Sequence, residues 1–396
     1  MKDQCAQCSA PRPVGRYLCT PCENKMLGIK PQPPRLKTTE NKTAPASQQD
    51  PRPKQRARDT STLVVSQRGD GDCTTISAAV EAVASGGRVM IRPGIYTEEV
   101  QVNRPMNLLG VGPTDTIPID AAQVILQGRL HLHGAAEVNI SHVTVRQGGV
   151  EVSNSHATLR SCRLMEESAD ISDRVIVLDV SGRSQVTVEK CLIRGGSTGI
   201  IVSNGAQLLA EDTELAYCPS SGALQCYGGG LHLRKCHVHH CGFGVRLEGG
   251  VIEDCQIHDC DSGIDIGGMG HYQIKGCGIY QSKYYGICQS TSGPSGDLEA
   301  IIEGCTIAGS KEAALRVEVG NFLVRHCDLR NNNLGIMGQA RVVATVEYCD
   351  LTQVDLLSYS FSKGAEVHLA HNKEKRRSLT ERALISALEF FNIGGD

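Results

Sequence analysis

The sequence has no tryptophan and few aromatic residues of any kind. Aromatic residues make up 4% of its 396 positions, and ten of them are Tyr. Sugar-binding clefts commonly stack pyranose rings on Trp or Tyr, so this composition argues against a cleft of that kind. The net charge is also small, at -3, and no global field draws the protein to nucleic acid.

Long apolar segments are absent as well. No apolar run follows Met1, and none elsewhere in the sequence is long enough to span a bilayer. We therefore expect no secretory signal and no membrane contact, and a monomer in the cytoplasm or nucleus. The 18 Cys would then lie in a reducing compartment, where thiols stay free or bind metal. Disulfides between neighbouring cysteines are the alternative.

Cysteine is abundant, and it recurs at near-regular spacing. Eight Cys share the frame apolar, any, apolar, any, any, Cys, any, apolar, and Val143 and Thr213 hold the Cys position in two further copies. The copies are spaced about 22 residues apart, and this period indicates a solenoid. The eight are Cys162, Cys191, Cys236, Cys255, Cys277, Cys305, Cys327 and Cys349.

The pattern within each repeat predicts strands. Apolar residues two apart indicate a short strand, and a second short run opens with glycine, as at Gly244 and Gly263. We predict an all-β, right-handed parallel β-helix of about 22 residues per coil, with the Cys column facing its interior. A shorter column, Cys218, Cys241 and Cys260, is expected at a corner.

Outward charges support the same register. The position two before each column member carries a charge, and the sign alternates except where Glu189 meets Glu211. In-register residues of parallel strands lie about 4.8 Å apart, so opposite charges would meet. The column is Arg160, Glu189, Glu211, Arg234, Glu253, Lys275, Glu303, Arg325 and Glu347.

The chain divides into four segments. Residues 1–26 hold four Cys, and residues 27–61 form a basic, proline-rich linker that cannot bury a core. Residues 62–372 form the β-helix, opened by a capping helix near 74–84 with Ile76, Ala79, Val80 and Val83 on one face. Residues 373–396 hold a basic run and a C-terminal helix. The two basic runs are solvated segments or, alternatively, nuclear-import or phosphate-binding signals.

The N-terminal cysteines have the spacing of a metal site. Cys5, Cys8, Cys19 and Cys22 form two Cys-x-x-Cys pairs, which supply four thiolates for one tetrahedral zinc ion. We predict a small zinc ribbon whose folding energy comes from the structural Zn²⁺. A redox pair is the alternative. Such knuckles bind proteins, ubiquitin or nucleic acid.

The opening of the β-helix segment resembles that of pectin-lyase-like β-helix proteins. The similar stretches are Thr75–Val80, Gly87–Tyr96 and Asn107–Gly110. Pectin methylesterases share this opening, and so do intracellular β-helix modules of F-box ubiquitin-ligase adaptors. The resemblance covers about residues 62–370 and implies a fold; it does not choose a function.

Catalytic groups are harder to find. Asp259, Asp261 and Asp265 lie within one coil, and glycoside hydrolysis needs two carboxyls about 5–9 Å apart across the bond. Outside the charge column we find no carboxylates stacked on adjacent coils, and we expect Asp261 and Asp265 on the surface. His237, His239, His240, His258 and His271 fall in neighbouring coils, where they are solvated turn residues or, alternatively, an acid–base or metal site.

Two function classes follow. The first is a non-catalytic scaffold or substrate-recognition module whose β-helix binds a protein partner, and the F-box resemblance implies a role in ubiquitin transfer. The alternative is a carbohydrate-active enzyme, a lyase, hydrolase or epimerase, acting on a uronate polymer. Its substrate would lie on Arg246, His258, Asp259, Asp261 and Asp265. The missing carboxylate pair and the lack of export favour the scaffold.

Overall fold

The computed structural model describes residues 60–115, 119–134, 137–166, 175–268, 270–289 and 298–374. The predicted zinc ribbon, most of the linker and the C-terminal helix lie outside these residues. The described chain forms a parallel β-solenoid of about 13 turns with about 22 residues per coil, as the repeat predicts. Within it the only α-helix is α1, Ile76–Ala82, and a 3-10 turn spans Ala121–Gln123.

Most coils contribute one strand to each of three parallel ladders, here called the first, second and third sheets. The two long strands, Ala313–Arg325 and Leu334–Glu347, run from the first sheet into the second without a break. The first sheet also contains Val100–Val102, Leu130–His133, Val150–Ser153, Ile176–Ser181, Thr198–Ser203, Gly222–Tyr227, Phe243–Leu247, Ser262–Ile266, Tyr285–Cys288 and Leu357–Phe361.

The second and third sheets complete the coil. The second sheet contains Thr62–Val65, Arg88–Ile91, Met106–Gly110, Val138–Ser141, His156–Arg160, Gln185–Glu189, Gln207–Glu211, Gly230–Arg234, Gly250–Glu253, Gly270–Lys275, Leu298–Glu303 and Glu366–Ala370. The third contains Gly94–Thr97, Val124–Gln127, Thr144–Arg146, Arg163–Glu166, Leu192–Gly195, Glu214–Ala216, His237–His239, Gln256–His258, Gly278–Tyr280 and Thr306–Ala308, and in line with it Asp350–Leu351 pairs with Lys373–Glu374.

The cysteine column marks the sharp corner between the second and third sheets. All eight members are buried, and each follows a residue with positive φ, such as Lys190 at 52° or Lys235 at 53°. Where the column lacks a thiol, the Thr213 hydroxyl accepts from the amide of Cys191 at 3.3 Å, much as Cys255 Sγ accepts from the amide of Cys236 at 3.4 Å. The predicted inward column is confirmed, and the second column, Cys218, Cys241 and Cys260, is buried at the corner that follows the third sheet.

The predicted charge column lies in register on the outer face of the second sheet. Arg160 pairs with Glu189 at 2.6 Å, and Arg325 pairs with Glu303 at 2.9 Å. These side chains are 30–59% exposed, so each of the two pairs contributes about 0–1 kcal/mol. Their main effect is to penalise a shifted register.

Glycine lies at or near the start of several strands of the first sheet because the next coil approaches the backbone closely there. A Cβ at Gly263 would lie 2.5 Å from the carbonyl oxygen of Gly286 and 2.6 Å from Cγ2 of Ile279. A Cβ at Gly244 would lie 2.4 Å from the carbonyl oxygen of Gly263. Any larger residue would therefore push the coils apart at the place where the first sheet begins.

Helix α1 covers the N-terminal end of the solenoid. Its predicted apolar face is buried, with Ile76, Ala79, Val80 and Val83 at most 5% exposed. Thr75 caps it, accepting a hydrogen bond from the amide of Ala78. The Glu98 carboxylate accepts two more, from the amides of Ile76 at 2.8 Å and Ser77 at 2.9 Å, and so satisfies the positive end of the helix.

Candidate active site

A continuous column of outward side chains runs along the first sheet. Its members alternate with buried core residues, so they project from the coil in register with one another. The column consists of Gln101, His131, Glu151, Asp179, Ile201, Gln225, Arg246, Asp265, Cys288, Arg316 and Met337.

Three ionisable groups lie next to one another near the N-terminal end of this column. His131 is in register with Glu151, and Glu151 is in register with Asp179. His131 Nδ1 lies 3.2 Å from Glu151 Oε2, and the two side chains are 26% and 44% exposed. Strand spacing of about 4.8 Å places the Glu151 and Asp179 carboxyl groups within reach of one substrate residue. We name His131, Glu151 and Asp179 the acidic triplet.

Asp179 differs electrostatically from an ordinary surface carboxylate. Burial raises its pKa, the negative charge of Glu151 raises it further, and Arg129 acts in the opposite direction. A carboxyl with a raised pKa holds its proton closer to neutral pH, which is what a general acid requires. Two neighbouring carboxyls with different environments are the arrangement from which acid and base roles arise.

The acidic triplet was not predicted from the sequence. Strand Ile176–Ser181 follows residues 167–174, which lengthen the step from Cys162 to Cys191 to 29 residues. Counting from the Cys frame therefore gave no position for Asp179, and the expectation that no carboxylates stack on adjacent coils is wrong. The alternation of buried Leu178 and Val180 around Asp179 was the available signal.

The sequence-derived patch is divided between two sheets. Arg246 and Asp265 lie in the first sheet and form an ion pair, Arg246 Nε to Asp265 Oδ2, at 2.5 Å. His258 and Asp259 lie at the outer edge of the third sheet, with His258 Nδ1 2.7 Å from Asp259 Oδ2. Asp261 lies in the turn between them and pairs with Lys283 at 3.3 Å.

Asp265 is buried, so the expectation that it lies on the surface is wrong. It is 1% exposed, and besides Arg246 it contacts Cys288 Sγ at 3.7 Å. Burial, and then the negative charge of Asp265, raise the pKa of the Cys288 thiol to about 12. The Arg246 guanidinium stacks on Phe243 with its carbon 4.0 Å from the ring centroid, and it remains 26% exposed. Asp265 therefore balances the charge of Arg246, while part of the guanidinium stays accessible on the column.

Two other expectations concern metals and membranes. The described residues include no group of three or more His, Cys, Asp or Glu arranged to hold a metal ion. The predicted zinc ligands Cys5, Cys8, Cys19 and Cys22 lie outside the described ranges. No helix within those ranges is long and apolar enough to cross a membrane.

Comparison with known families identifies the fold by sequence. The model described as "Right handed beta helix region" matches residues 129–267 and 262–375, more than half of the chain. The chain belongs to this right-handed β-helix family. A comparison with curated proteins gives no match.

Solved structures of similar fold include enzymes that act on polysaccharides. A double mutant of the periplasmic alginate epimerase AlgG is 12% identical, with a TM-score of 0.57, and the match covers 74% of this chain and 84% of that one. The catalytic domain of a GH87 alpha-1,3-glucanase, in complex with tetrasaccharides, is 11% identical with a TM-score of 0.50, covering 86% and 71%. Identity this low shows the shared fold.

These structures correct the main functional expectation. We expected a non-catalytic scaffold and adaptor, partly because no carboxylates stacked on adjacent coils were found. The two similar solved structures reported above are an alginate epimerase and an alpha-1,3-glucanase, and neither is a scaffold or adaptor, so this expectation is contradicted. The in-register Glu151 and Asp179 remove the objection to the carbohydrate-active alternative.

Proposed function

We propose that this protein is a carbohydrate-active enzyme whose substrate, a uronate polymer, lies along the outward column of the first sheet. The observation that carries the proposal is the acidic triplet, in which an imidazole and two carboxyl groups occupy three successive coils. The fold shared with polysaccharide-active enzymes supports it.

The arrangement suits proton abstraction better than glycoside hydrolysis. Hydrolysis needs both carboxyl groups available on either side of the bond, whereas Glu151 already contacts His131 at 3.2 Å. A carboxylate on Nδ1 fixes the imidazole tautomer and leaves Nε2 as a base, the chemistry for which histidine is suited near neutral pH. Nε2 would take the proton next to the uronate carboxyl group.

Asp179 would complete the step as the acid. Its raised pKa keeps the carboxyl protonated at a higher pH than an ordinary Asp. It could give this proton to the leaving oxygen in an elimination, or to the opposite face of the sugar in an epimerisation. Both outcomes share the abstraction by His131, so the triplet fits a lyase or an epimerase.

Cationic groups on the same column fit a polyanion. Arg246 and Arg316 lie three coils apart on either side of Asp265 and Cys288, and their side chains are 26% and 34% exposed while each pairs with a carboxylate, Asp265 and Glu318. Gln225 lies on the coil before Arg246, and Tyr227 donates to its side-chain oxygen at 2.7 Å. Guanidinium groups bind carboxylates strongly, which favours a uronate over a neutral sugar.

The experiment is a substrate screen that separates the reactions. The protein is incubated with alginate, polygalacturonate and a neutral alpha-glucan in deuterated water. Ultraviolet absorbance of unsaturated sugar ends detects elimination, and deuterium at the carbon next to the carboxyl group detects epimerisation. Either signal on a uronate polymer supports the proposal. Reducing ends released without either signal, or turnover of the neutral glucan alone, contradict it.

We also propose that Cys5, Cys8, Cys19 and Cys22 hold one structural zinc ion. The paired spacing supports this, since four thiolates complete a tetrahedral site. Elemental analysis of the full chain purified under reducing conditions should lose one equivalent of zinc when Cys5 and Cys8 are changed to Ser. Unchanged zinc content in that variant refutes the assignment.

A further inference from the structure

The apolar core of the solenoid becomes exposed at its C-terminal end. One inward column of the second sheet runs through Val324, Val346 and Leu369 on successive coils. Val324 and Val346 are 1% and 0% exposed, whereas Leu369 is 44% exposed. Val367, on the same strand as Leu369, is only partly buried, although its register partner Ala344 is fully buried. Among the described residues, the interior of the last coil is therefore open to solvent.

The first sheet shows the same change at its last strand, Leu357–Phe361. Ile336 is buried, but Tyr359, its register partner on the last coil, is only partly buried. Phe361 is partly buried as well, and its ring centroid lies 6.5 Å from that of Tyr359. The last strands of both sheets pair with Leu334–Glu347 and with no other described strand, so they also present an unpaired backbone edge.

The N-terminal end of the same solenoid is closed. Helix α1 contacts the first strand of the second sheet, Thr62–Val65, where Leu63 and Val65 are 6% and 0% exposed. A terminal coil buries its core only if another element covers it, because a coil in the interior of the stack is covered by its neighbours. The described residues include no such element at the C-terminal end.

The segment that follows the last coil carries an apolar helical face. Its residues, 375–396, lie outside the described ranges, and the sequence predicts a helix over 378–393. Leu384, Leu388 and Phe391 are spaced as i, i+4 and i+7, which places them on one face of such a helix. A helix with one apolar face requires a surface on which to bury that face.

The segment also has a suitable starting point and length. The last described residue, Glu374, belongs to the last coil, where Lys373–Glu374 pairs with Asp350–Leu351. A helix over 378–393 would span about 24 Å. The strand Glu366–Ala370 has five residues and spans about 16 Å. The helix is therefore long enough to cover the whole strand.

We propose that residues 378–393 form a helix that closes the C-terminal end of the solenoid, with its apolar face packed on Val367 and Leu369. The contact buries apolar side chains of both partners, so it stabilises the last coil and the helix together. It also covers an end to which a second copy of the chain could otherwise add. The inference goes beyond the proposed enzymatic function, and neither substrate nor metal enters its test.

Hydrogen exchange in the full chain tests the contact from the side of the helix. Leu388→Asp places a charge in the contact, and we expect the amides of Glu366–Ala370 to exchange at least about 10-fold faster than in the native chain. Ser386→Asp is the matched control, because it places the same charge on the opposite face of the helix, and that strand should keep its native exchange rates. Equal exchange of the strand in the two variants overturns the proposal.

Leu369→Asp tests the same contact from the side of the solenoid. It should speed exchange within residues 378–393, whereas His368→Asp, an exposed and outward change on the same strand, should not. A native chain without protected amides in 378–393 overturns the proposal. So does a native dimer in which dilution, and not Leu388→Asp, speeds exchange of Glu366–Ala370, since a second copy would then cover this end.

Discussion

At the scale of single residues, burial decides which carboxylates are structural and which are available for chemistry. Asp265 and Asp179 occupy equivalent outward positions of the first sheet, four coils apart along one column. Asp265 is buried against Arg246, whereas Asp179 is partly exposed beside a like charge. The sequence identified Asp265 as a site residue, but only the packing of neighbouring coils shows that it is buried.

Replacing Asp265 should destabilise the protein. Asp265→Asn leaves Arg246 without its counter-charge, and breaking a buried pair costs about 3–5 kcal/mol. Because Arg246 is 26% exposed, we expect the low end of that range, about 3 kcal/mol. Urea unfolding measures it against Asp261→Asn, whose pair with Lys283 is exposed and should contribute far less than the buried pair. Equal losses would mean that the burial of Asp265 has no energetic consequence.

Replacing Asp179 should stabilise the protein. The folded-state pKa of Asp179 is raised, so its ionisation costs stability as the pH rises through that pKa. Asp179→Asn removes this cost, and relief of one in-register like-charge pair is about 0.2–1 kcal/mol. The gain should be present at neutral pH and vanish below about pH 4, where the carboxyl is protonated in both states. Thermal unfolding across this range checks it; a variant less stable than the native chain at neutral pH contradicts it.

At the scale of elements, local sequence patterns were enough to predict the elements whose defining residues lie close together in the sequence. The Cys frame placed the corners, and the apolar spacing of Ile76, Ala79, Val80 and Val83 placed helix α1 and its buried face. The sequence did not indicate that Glu98 would cap that helix, because the contact joins residues 21 and 22 apart. Contacts between elements depend on the path of the chain between them, and the repeat pattern does not predict that path.

Loss of the Glu98 cap should weaken the N-terminal coil. Glu98→Ala removes two hydrogen bonds to the amides of Ile76 and Ser77, and cap replacements cost about 0.5–2 kcal/mol. Hydrogen exchange should show faster exchange in α1 and strand Thr62–Val65, with the cysteine column unaffected. Glu81→Ala, an exposed change within the same helix, is the control. Exchange rates of α1 that match the control in Glu98→Ala would contradict the cap.

At the scale of the whole molecule, each coil contacts its two neighbours, and stacking alone builds the long outward column of the first sheet. The period of 22 residues predicted this architecture, and the inward Cys column confirmed its register. The functional site could not be predicted in the same way. Its members come from three coils, and the long step before Asp179 interrupts the count that would align them.

The most direct test of the account compares turnover in matched variants on the uronate polymer that the native protein converts. Glu299→Gln changes a carboxylate that pairs with an in-register histidine, as Glu151 does, but on the second sheet. The account predicts that Asp179→Asn and His131→Gln lose at least about 100-fold in rate, the usual contribution of a general acid or base, while Glu299→Gln retains full activity. Native rates in Asp179→Asn and His131→Gln, or an equal loss in all three variants, would contradict the placement of the active site on the first sheet.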